Sequence, residues 1–477
     1  MYEKNTRCAK KTTPWGISWG LFILFAALSA AEGASSGATV RGVWLTTTAN
    51  DHIATPQRSA ETMQRLQRIG LNTVYVEVWK NGYTQFPSKV LEGAVGVDSR
   101  PAGQAQDPGD PPASSQAPGR DLLQETLIAA HRQGLNYIAW FEYGFMAAYK
   151  DTDNHLRRLK PDWLTCTREG EAVSGQNPFV WMNPLHPEVQ RFLLDLILEA
   201  VERYDLDGVQ LDDRIAWPVE MGYDAYTRRI YAEQHGGAQP PDDPRDPDWV
   251  AWRAEQVSRF AARLYTQLKR RRPHLLVSIS PAVYPWSFEH YACDWPAWAA
   301  DDLMDEFVPQ VYRADFPAFD AAWTEQLAAV PAPRRGQILA GIAITGSDRV
   351  LPWEALRHKI GASSQGGGHV HWYSRGVLDL YADELTALYT AAGPAHHPRL
   401  GPRWRPAPLA GQRMDGGRWR IRVEEPGRYR LIVRRDGVWD RARTELYAAG
   451  PVEIEAPGAE AVELLVDRRR PKLRPSP

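Results

Sequence analysis

The stretch YDLDGVQLDDRIAWP, residues 204–218, reads as a short buried strand that follows a helix and ends in two adjacent carboxylates. Strand side chains alternate between faces. Val209 and Leu211 therefore share one face, and Gln210 and Asp212 share the other. The apolar pair suits covering helices and leaves Gln210 and Asp212 facing an interior cleft, with Asp213 at the C-terminal lip. An α/β barrel places its chemistry at that end of its strands. The structural alternative is that one aspartate caps the following turn or pairs with Arg214.

Working outward, apolar strand-like segments alternate with helix-like ones, the pattern of a parallel sheet. The expected strands are 41–47, 72–79, 136–142, 207–213, 275–280, 307–312, 338–344 and 369–374. Eight such units over 41–392 predict an α/β fold of the (β/α)8 TIM-barrel type. A doubly wound open sheet is the competing architecture, but no glycine-rich phosphate loop follows the first strand. Asp98–Gly119, rich in Pro, Gly, Ser and Gln, and Met146–Pro184 read as insertions at strand C-terminal ends. Residues 393–406 form a Pro/Arg/His-rich linker. Beyond it, at 407–477, RWRIRV, GRYRLIVRR and AVELLV alternate with period two and predict a small all-β, sandwich-like accessory module.

At the other end, Lys4, Arg7, Lys10 and Lys11 precede an apolar run from Trp15 to Leu28 and then small residues. Residues 1–31 read as a secretory signal, with 32–40 as a linker, so the protein is expected to be exported to the periplasm or beyond the cell. Cys8 would leave with the signal, and nothing in the sequence requires Cys166 and Cys293 to pair. The net charge is −2 overall, +3 over the first 31 residues and +6 from Gly401 onward, so residues 32–400 carry −11. An acidic body argues against nucleic acid as a partner. The basic C-terminal module, with Arg418, Arg420, Arg422, Arg428, Arg430, Arg434 and Arg435 along two strands, suggests attachment to an anionic envelope polymer, docking on the acidic barrel, or a plain solvated sheet.

Alternation on the other strands gives a ring of inward candidates. Tyr75, Glu77 and Trp79 share one face of the second strand, and Ile138, Trp140 and Glu142 share one face of the third. Ser278 and Ser280 follow on the fifth, Gln310 and Tyr312 on the sixth, and His369, His371 and Tyr373 on the eighth. Structural alternatives exist for each. Glu77 and Glu142 could form interior ion pairs, His371 could be a satisfied core histidine, and Glu306 lies toward the stability end of its strand. The chain holds 19 tryptophans, of which Trp44, Trp79, Trp140, Trp163, Trp181, Trp217 and Trp372 fall at or near the expected cleft. Indole faces suit the apolar faces of sugar rings, and paired carboxylates suit acetal hydrolysis.

The chain resembles the glycosyl hydrolase-like 10 family. The resemblance rests on VRGVWLTTTAN at 40–50, GLNTVYVEVWKNGYTQFPS at 70–88, AHRQGLNYIAWFEYGF at 130–145, NPLHPEVQRFLLDLILEAVERYDLDGVQLDD at 183–213 and DEFVPQVYR at 305–313. It implies a TIM-barrel glycosidase of bacterial envelopes acting on polysaccharide, with peptidoglycan glycan strands as a substrate. It does not carry Glu77 and Glu142 over as family-wide catalysts, and it does not reach the C-terminal module.

The expected function is a secreted glycoside hydrolase without a cofactor or metal. Asp212 is the nucleophile or base, Glu142 the proton donor, and Glu77 and Asp213 supporting carboxylates. Trp44, Trp79, Trp140, Trp181, Asn183, Gln310, Tyr312, His371 and Tyr373 are the expected substrate contacts. Two other readings compete. One is a non-catalytic glycan-binding protein on the same scaffold, which would need no acidic pair across the cleft. The other is a metal hydrolase using Asp212, Asp213 and His371, although no HExxH-type spacing is present.

Overall fold

Eight short parallel strands form the centre of the computed structural model, which describes residues 37–99, 120–150, 153–174, 177–346 and 349–469. The expected signal and nearly all of the 98–119 insertion lie outside the described residues. The strands are β1 (Val40–Leu45), β2 (Thr73–Glu77), β3 (Asn136–Phe141), β4 (Gly208–Asp212), β5 (Leu276–Ser280), β6 (Glu306–Phe307), β7 (Ala340–Ala343) and β8 (Gly368–Trp372). They pair in the order β6-β5-β4-β3-β2-β1-β8-β7. Parallel bridges from Phe307 to Ile338 and from Gln310 to Gly341 join the two ends of this sheet. The protein is therefore the expected (β/α)8 barrel, and every strand overlaps one read from the sequence, the sixth at Phe307 only.

Helices follow the strands around the outside: α1 (Pro56–Ile69), α2 (Leu122–Arg132), α3 (Pro187–Arg203), α4 (Pro247–Arg271), α5 (Trp295–Ala300), α6 (Phe316–Ala328), α7 (Trp353–Ala362) and α8 (Ala382–Ala392). The outward strand residues Val43, Val74, Val76, Ala139, Phe141, Val209, Leu211, Val277 and Ile279 join the core beneath these helices. Inward-facing Trp44, Tyr75, Ile138, Trp140 and Val370 form a separate interior cluster. Gly208 is required where β4 passes β3 and β5, since a Cβ there would lie 2.7 Å from both Ile138 Cδ1 and the Leu276 carbonyl.

The interior also carries a hydrogen-bonded polar column. His397 Nε2 lies 3.0 Å from Glu306, which accepts from Tyr75 and Ser278 at 2.8 Å each. Ser278 in turn accepts from Gln210, and Gln210 accepts from the Trp44 indole at 2.7 Å. Each buried polar group is thus paired, as a low-dielectric interior demands. Glu306 sits at the closed, N-terminal end of the barrel.

The C-terminal residues build two facing sheets. Strands β9 (Leu409–Ala410), β12 (Gly427–Arg435), β13 (Val438–Tyr447) and β15 (Ala461–Val466) form one in the order β9-β15-β12-β13. Strands β10 (Gln412–Arg413), β11 (Arg418–Val423) and β14 (Gly450–Glu455) form the other. Between them lies a core that includes Trp419, Ile421, Leu431, Val433 and Leu464. The expected arginine stripe is split. Arg418 and Arg420 pair with Glu453 on the smaller sheet, whereas Arg430 is buried against the barrel and Arg434 pairs with Glu460.

The module docks under the barrel. Ile432 and Leu465 pack on Ile128 of α2, and Arg132 reaches Glu463 at 2.7 and 3.0 Å. The segment read as a linker lies in the same seam: Arg405 donates to Asp205 at 2.7 Å and to Asp207 at 2.8 Å, just ahead of β4. His131 Nε2 lies 2.9 Å from Asp207, and Arg430 donates to its other ring nitrogen. The side chains of all five are almost wholly inaccessible. Four arginine and histidine neighbours hold Asp205 well below the usual carboxylate range despite its burial, and Arg405 and His131 do the same for Asp207.

Burial, then the charge of Arg405, push His131 down to about 4. The unfolded chain takes up that proton near pH 6.5, so this stability is present above about 6.5 and is lost as pH falls toward 4. Thermal or urea melts should therefore lose about 3 kcal/mol from this group over that interval. His131→Gln should flatten that part of the stability–pH curve. An equally steep curve in the variant would show that another group controls it.

Candidate active site

Asp212 ends β4 inside the barrel mouth, where the alternation of GVQLD aims it. Its Oδ1 accepts from Ser280 Oγ at 2.7 Å and from Gln310 Nε2 at 3.0 Å, and its Oδ2 meets Arg214 Nη1. The same guanidinium nitrogen lies 3.0 Å from Asp213 Oδ1 and 3.8 Å from Glu142 Oε1. Contact with one nitrogen brings the three carboxylates close together, as the pairing of carboxylates in acetal hydrolysis requires.

Lys80 completes the cluster. Its ammonium lies 3.3 Å from Glu142 and 3.4 Å from Glu77, and it donates to Thr48 at 3.1 Å. Glu77 also accepts from the Thr46 hydroxyl at 2.7 Å, from the Thr47 amide at 3.3 Å and from the Thr47 hydroxyl. Fully buried and bonded in this way, Glu77 anchors Lys80 and the end of β1 rather than facing the cavity.

The cavity itself is about 160 Å3 and is lined by Trp44, Trp140, Glu142, Asp212, Arg214, Gln310, Tyr312 and Trp372. Three indoles form a box, with ring centroids 6.3 Å apart for Trp44–Trp140, 6.1 Å for Trp44–Trp372 and 5.8 Å for Trp140–Trp372. The Trp140 N–H is buried and has no acceptor among the described residues. It is a donor available to a sugar hydroxyl.

Burial and charge crowding together set the electrostatics. Burial first, then the charge on Asp213, push the Asp212 carboxyl well above its usual range; Arg214 opposes this, and Glu142 adds to it. Burial works against the Arg214 charge, but Asp213, Asp212 and Glu142 outweigh it and raise the guanidinium. Tyr312, half-buried and beside Asp212 and Asp213, is held as a neutral phenol.

Five of the expected contacts lie elsewhere. β2 ends at Glu77, and Trp79 turns outward onto Phe192 at 5.9 Å while its indole donates to the Gly144 carbonyl. Trp181 is buried in the insertion after β3, bonded to Asn177, and Asn183 ties Asp224 to Thr227 there. On β8 the faces are reversed. Val370 and Trp372 point inward, while His369 and His371 point outward and share the Tyr389 hydroxyl at 2.7 and 2.8 Å. The polarity of HVHWY misleads because α8 supplies a polar partner and the interior beside β8 is apolar. Tyr373 is buried outside the cavity lining, its ring tilted against Trp372 at 5.3 Å between centroids. With His371 in the helix-facing layer, the trio needed for the metal-hydrolase reading is not assembled.

Lys80 was not anticipated, and Arg214 only as a capping partner. The signal for Lys80 was present in KNGY: Asn81 and Gly82 have φ of 50° and 78°, the two-residue hairpin that Asn-Gly favours. That turn pairs Trp79–Lys80 with Tyr83–Thr84 and returns Lys80 to the mouth.

The sequence pattern of the glycosyl hydrolase-like 10 family matches residues 39–349. The chain belongs to that family. It is 24% identical over 352 residues to glycosyl hydrolase DigH of Escherichia coli K12, covering 65% of this chain and 74% of that one. It is also 24% identical to glycosyl hydrolase YngK of Bacillus subtilis, over 58% of this chain and 55% of that one. Among solved structures, the glycoside hydrolase domain of PgaB (BpsB) from Bordetella bronchiseptica aligns with 74% of this chain and 98% of its own, at TM-score 0.51 and 15% identity. Alpha-L-fucosidase isoenzyme 2 from Paenibacillus thiaminolyticus aligns with the same share of this chain and 49% of its own, at TM-score 0.51 and 17% identity. These structural likenesses establish the barrel. The chain is thus a glycosyl hydrolase-like protein whose family region spans the carboxylate cluster.

The raised carboxyl of Asp212 has a consequence for stability. The folded protein holds that proton more tightly than the unfolded chain, so its contribution is greatest below about pH 3.9 and is lost as pH rises. Asp212→Asn removes this penalty while Arg214 keeps Asp213 and Glu142. The variant's unfolding free energy relative to wild type should shift in its favour from pH 4 to pH 8. A shift in the opposite direction would mean that the carboxylate is a net stabiliser.

Proposed function

We propose that the protein is an exported glycoside hydrolase that cleaves O-glycosidic bonds in an envelope polysaccharide, peptidoglycan glycan strands being the favoured class. The observation that carries this reading is the contact of one Arg214 nitrogen with Glu142, Asp212 and Asp213 at an indole-walled cavity. A protein that only binds glycan has use for the indoles but not for buried like charges, which cost stability. Export rests on the basic and apolar pattern of residues 1–31. Envelope attachment through the C-terminal module would fall to its exposed arginines, since Arg430 is occupied by the barrel.

In this reading Asp212 is the nucleophile or base. Its three donors fix it rigidly. Glu142, on the neighbouring strand, passes a proton to the departing glycosidic oxygen. Four carboxylates against two cations leave surplus negative charge, which favours one proton being held within the cluster. The developing positive charge on the sugar ring meets the same surplus. Lys80 positions Glu142, and Glu77 positions Lys80.

Asp212→Asn should lower kcat about 10²–10⁴-fold on polymer and on an activated aryl glycoside alike, with glycan binding retained. Glu142→Gln should lose polymer cleavage to a similar extent but keep most turnover of an aryl glycoside whose leaving group needs no protonation. Lys80→Met should change the pH profile of kcat/KM, with Lys80→Arg restoring it in part. Full polymer activity in both carboxylate variants would place the chemistry elsewhere.

A further inference from the structure

The segment after β5 leaves its strand at the mouth end of the barrel and carries a short helix, Trp286–Tyr291. Its backbone is tied to the residues that follow Asp213. The Trp217 amide donates to the Tyr291 carbonyl at 2.8 Å, and the Val219 amide to the His290 carbonyl at 3.0 Å. The Tyr291 ring stands near the carboxylate cluster: burial, then the charge on Asp213, push its phenol up to about 12. Next to Tyr291, at 5.1 Å between centroids, lies the Trp286 indole. A path along the rim therefore runs from Arg214 in the cavity lining through Asp213 and Tyr291 to Trp286.

Among the described residues Trp286 is the one tryptophan left exposed, at 43%. A single exposed apolar side chain needs no explanation by itself; the way this one is held does. Its ring lies nearly parallel to the His290 imidazole, at 4.8 Å and 23°, and Tyr291 is tilted against it at 49°. Two rings thus fix its orientation while it stays open to solvent. His290 is flanked in turn by Arg245, whose guanidinium lies 3.4 Å from its Nδ1 and 3.3 Å from Glu220. A flat apolar face with charged hydrogen-bonding groups beside it matches a pyranose, whose axial C–H bonds make an apolar face and whose hydroxyls ring the edge. Because the indole is already held, little rotamer freedom is lost when a ring stacks on it.

We propose that Trp286 is a stacking platform for an uncharged pyranose ring of the polymer, one or more units along the chain from the sugar in the carboxylate cavity. The ring that matches it best is gluco-configured, because equatorial hydroxyls leave both faces apolar. This rests on the glycosidase reading for the ligand being a glycan, but binding alone tests it. The probes are two neutral series, cello-oligosaccharides and chito-oligosaccharides, each as the disaccharide and the hexasaccharide. Calorimetry with the full chain should show the hexasaccharide of one series binding at least about tenfold more tightly than its disaccharide, since only the longer ligand spans from the cavity to the platform.

Trp286→Ala should cut that ratio at least about fivefold, and Trp286→Tyr, which keeps an aromatic face, should retain most of it. A thermal melt checks that each variant is folded. The ratio should persist at high salt, because stacking is not screened as charge attraction is. An unchanged ratio in Trp286→Ala, a ratio near one for both series in wild type, a ratio that collapses with salt, or failure to bind any of the four probes would overturn the platform. Length-dependent binding that Trp286→Ala loses, without turnover of any bacterial glycan, would leave the platform standing and remove the glycosidase reading. Turnover of an envelope glycan with the same KM in wild type and Trp286→Ala would do the reverse.

Discussion

The Arg214 guanidinium is the constraint on which the barrel mouth depends. Three carboxylates converge there from the ends of two neighbouring strands, and their repulsion is offset by a single nitrogen in reach of all three. Lys80 provides a second counter-charge and is itself held by Glu77. Removing either cation would leave buried like charges uncompensated, which costs far more than an exposed pair. The site is therefore an arrangement that the rest of the barrel must keep rigid. The indole box and the column from Trp44 through Gln210 and Ser278 to Glu306 do this from below.

The strand that carries the site shows both fates of an aspartate. In YDLDGVQLDD, Asp205 and Asp207 precede β4 and Asp212 and Asp213 end it. The first two meet Arg405, Arg430 and His131, and their carboxyls are driven low, so their charge stabilises the fold. At the other end Asp212 is buried, and crowded by its own kind, and is driven high. The lower pair joins the C-terminal module to the barrel, while Asp212 of the upper pair lines the cavity and Asp213 meets its Arg214. This division follows the general rule that a barrel separates stability from chemistry along its strands.

Much of this was legible in the sequence, because aliphatic–polar alternation reports burial under helices directly. The eight strands, the inward aim of Asp212, Glu142, Gln310 and Tyr312, and the structural place of Glu306 all follow from it. Alternation failed where the strand ended early, at Trp79, and where the outer layer offered polar partners, at His369 and His371. Trp181 and Asn183 were misread because an insertion can bury aromatic and amide groups without approaching the cleft. Docking on the acidic barrel was one of the readings open for the stripe that contains Arg430, but the docking of Arg405 was not legible. A Pro/Arg-rich segment looks the same whether it spans solvent or closes a seam, and only the positions of Asp205 and Asp207 distinguish the two.

The central claim is that this cluster breaks glycosidic bonds, and the most direct measurement follows the oxygen. The protein is incubated with a panel of bacterial glycans in 18O-labelled water, and the released fragments are weighed by mass spectrometry. Hydrolysis through Asp212 and Glu142 predicts fragments from an envelope glycan carrying one 18O at the new reducing end. Binding of those glycans without any fragment, under conditions where the protein is folded, would contradict the account.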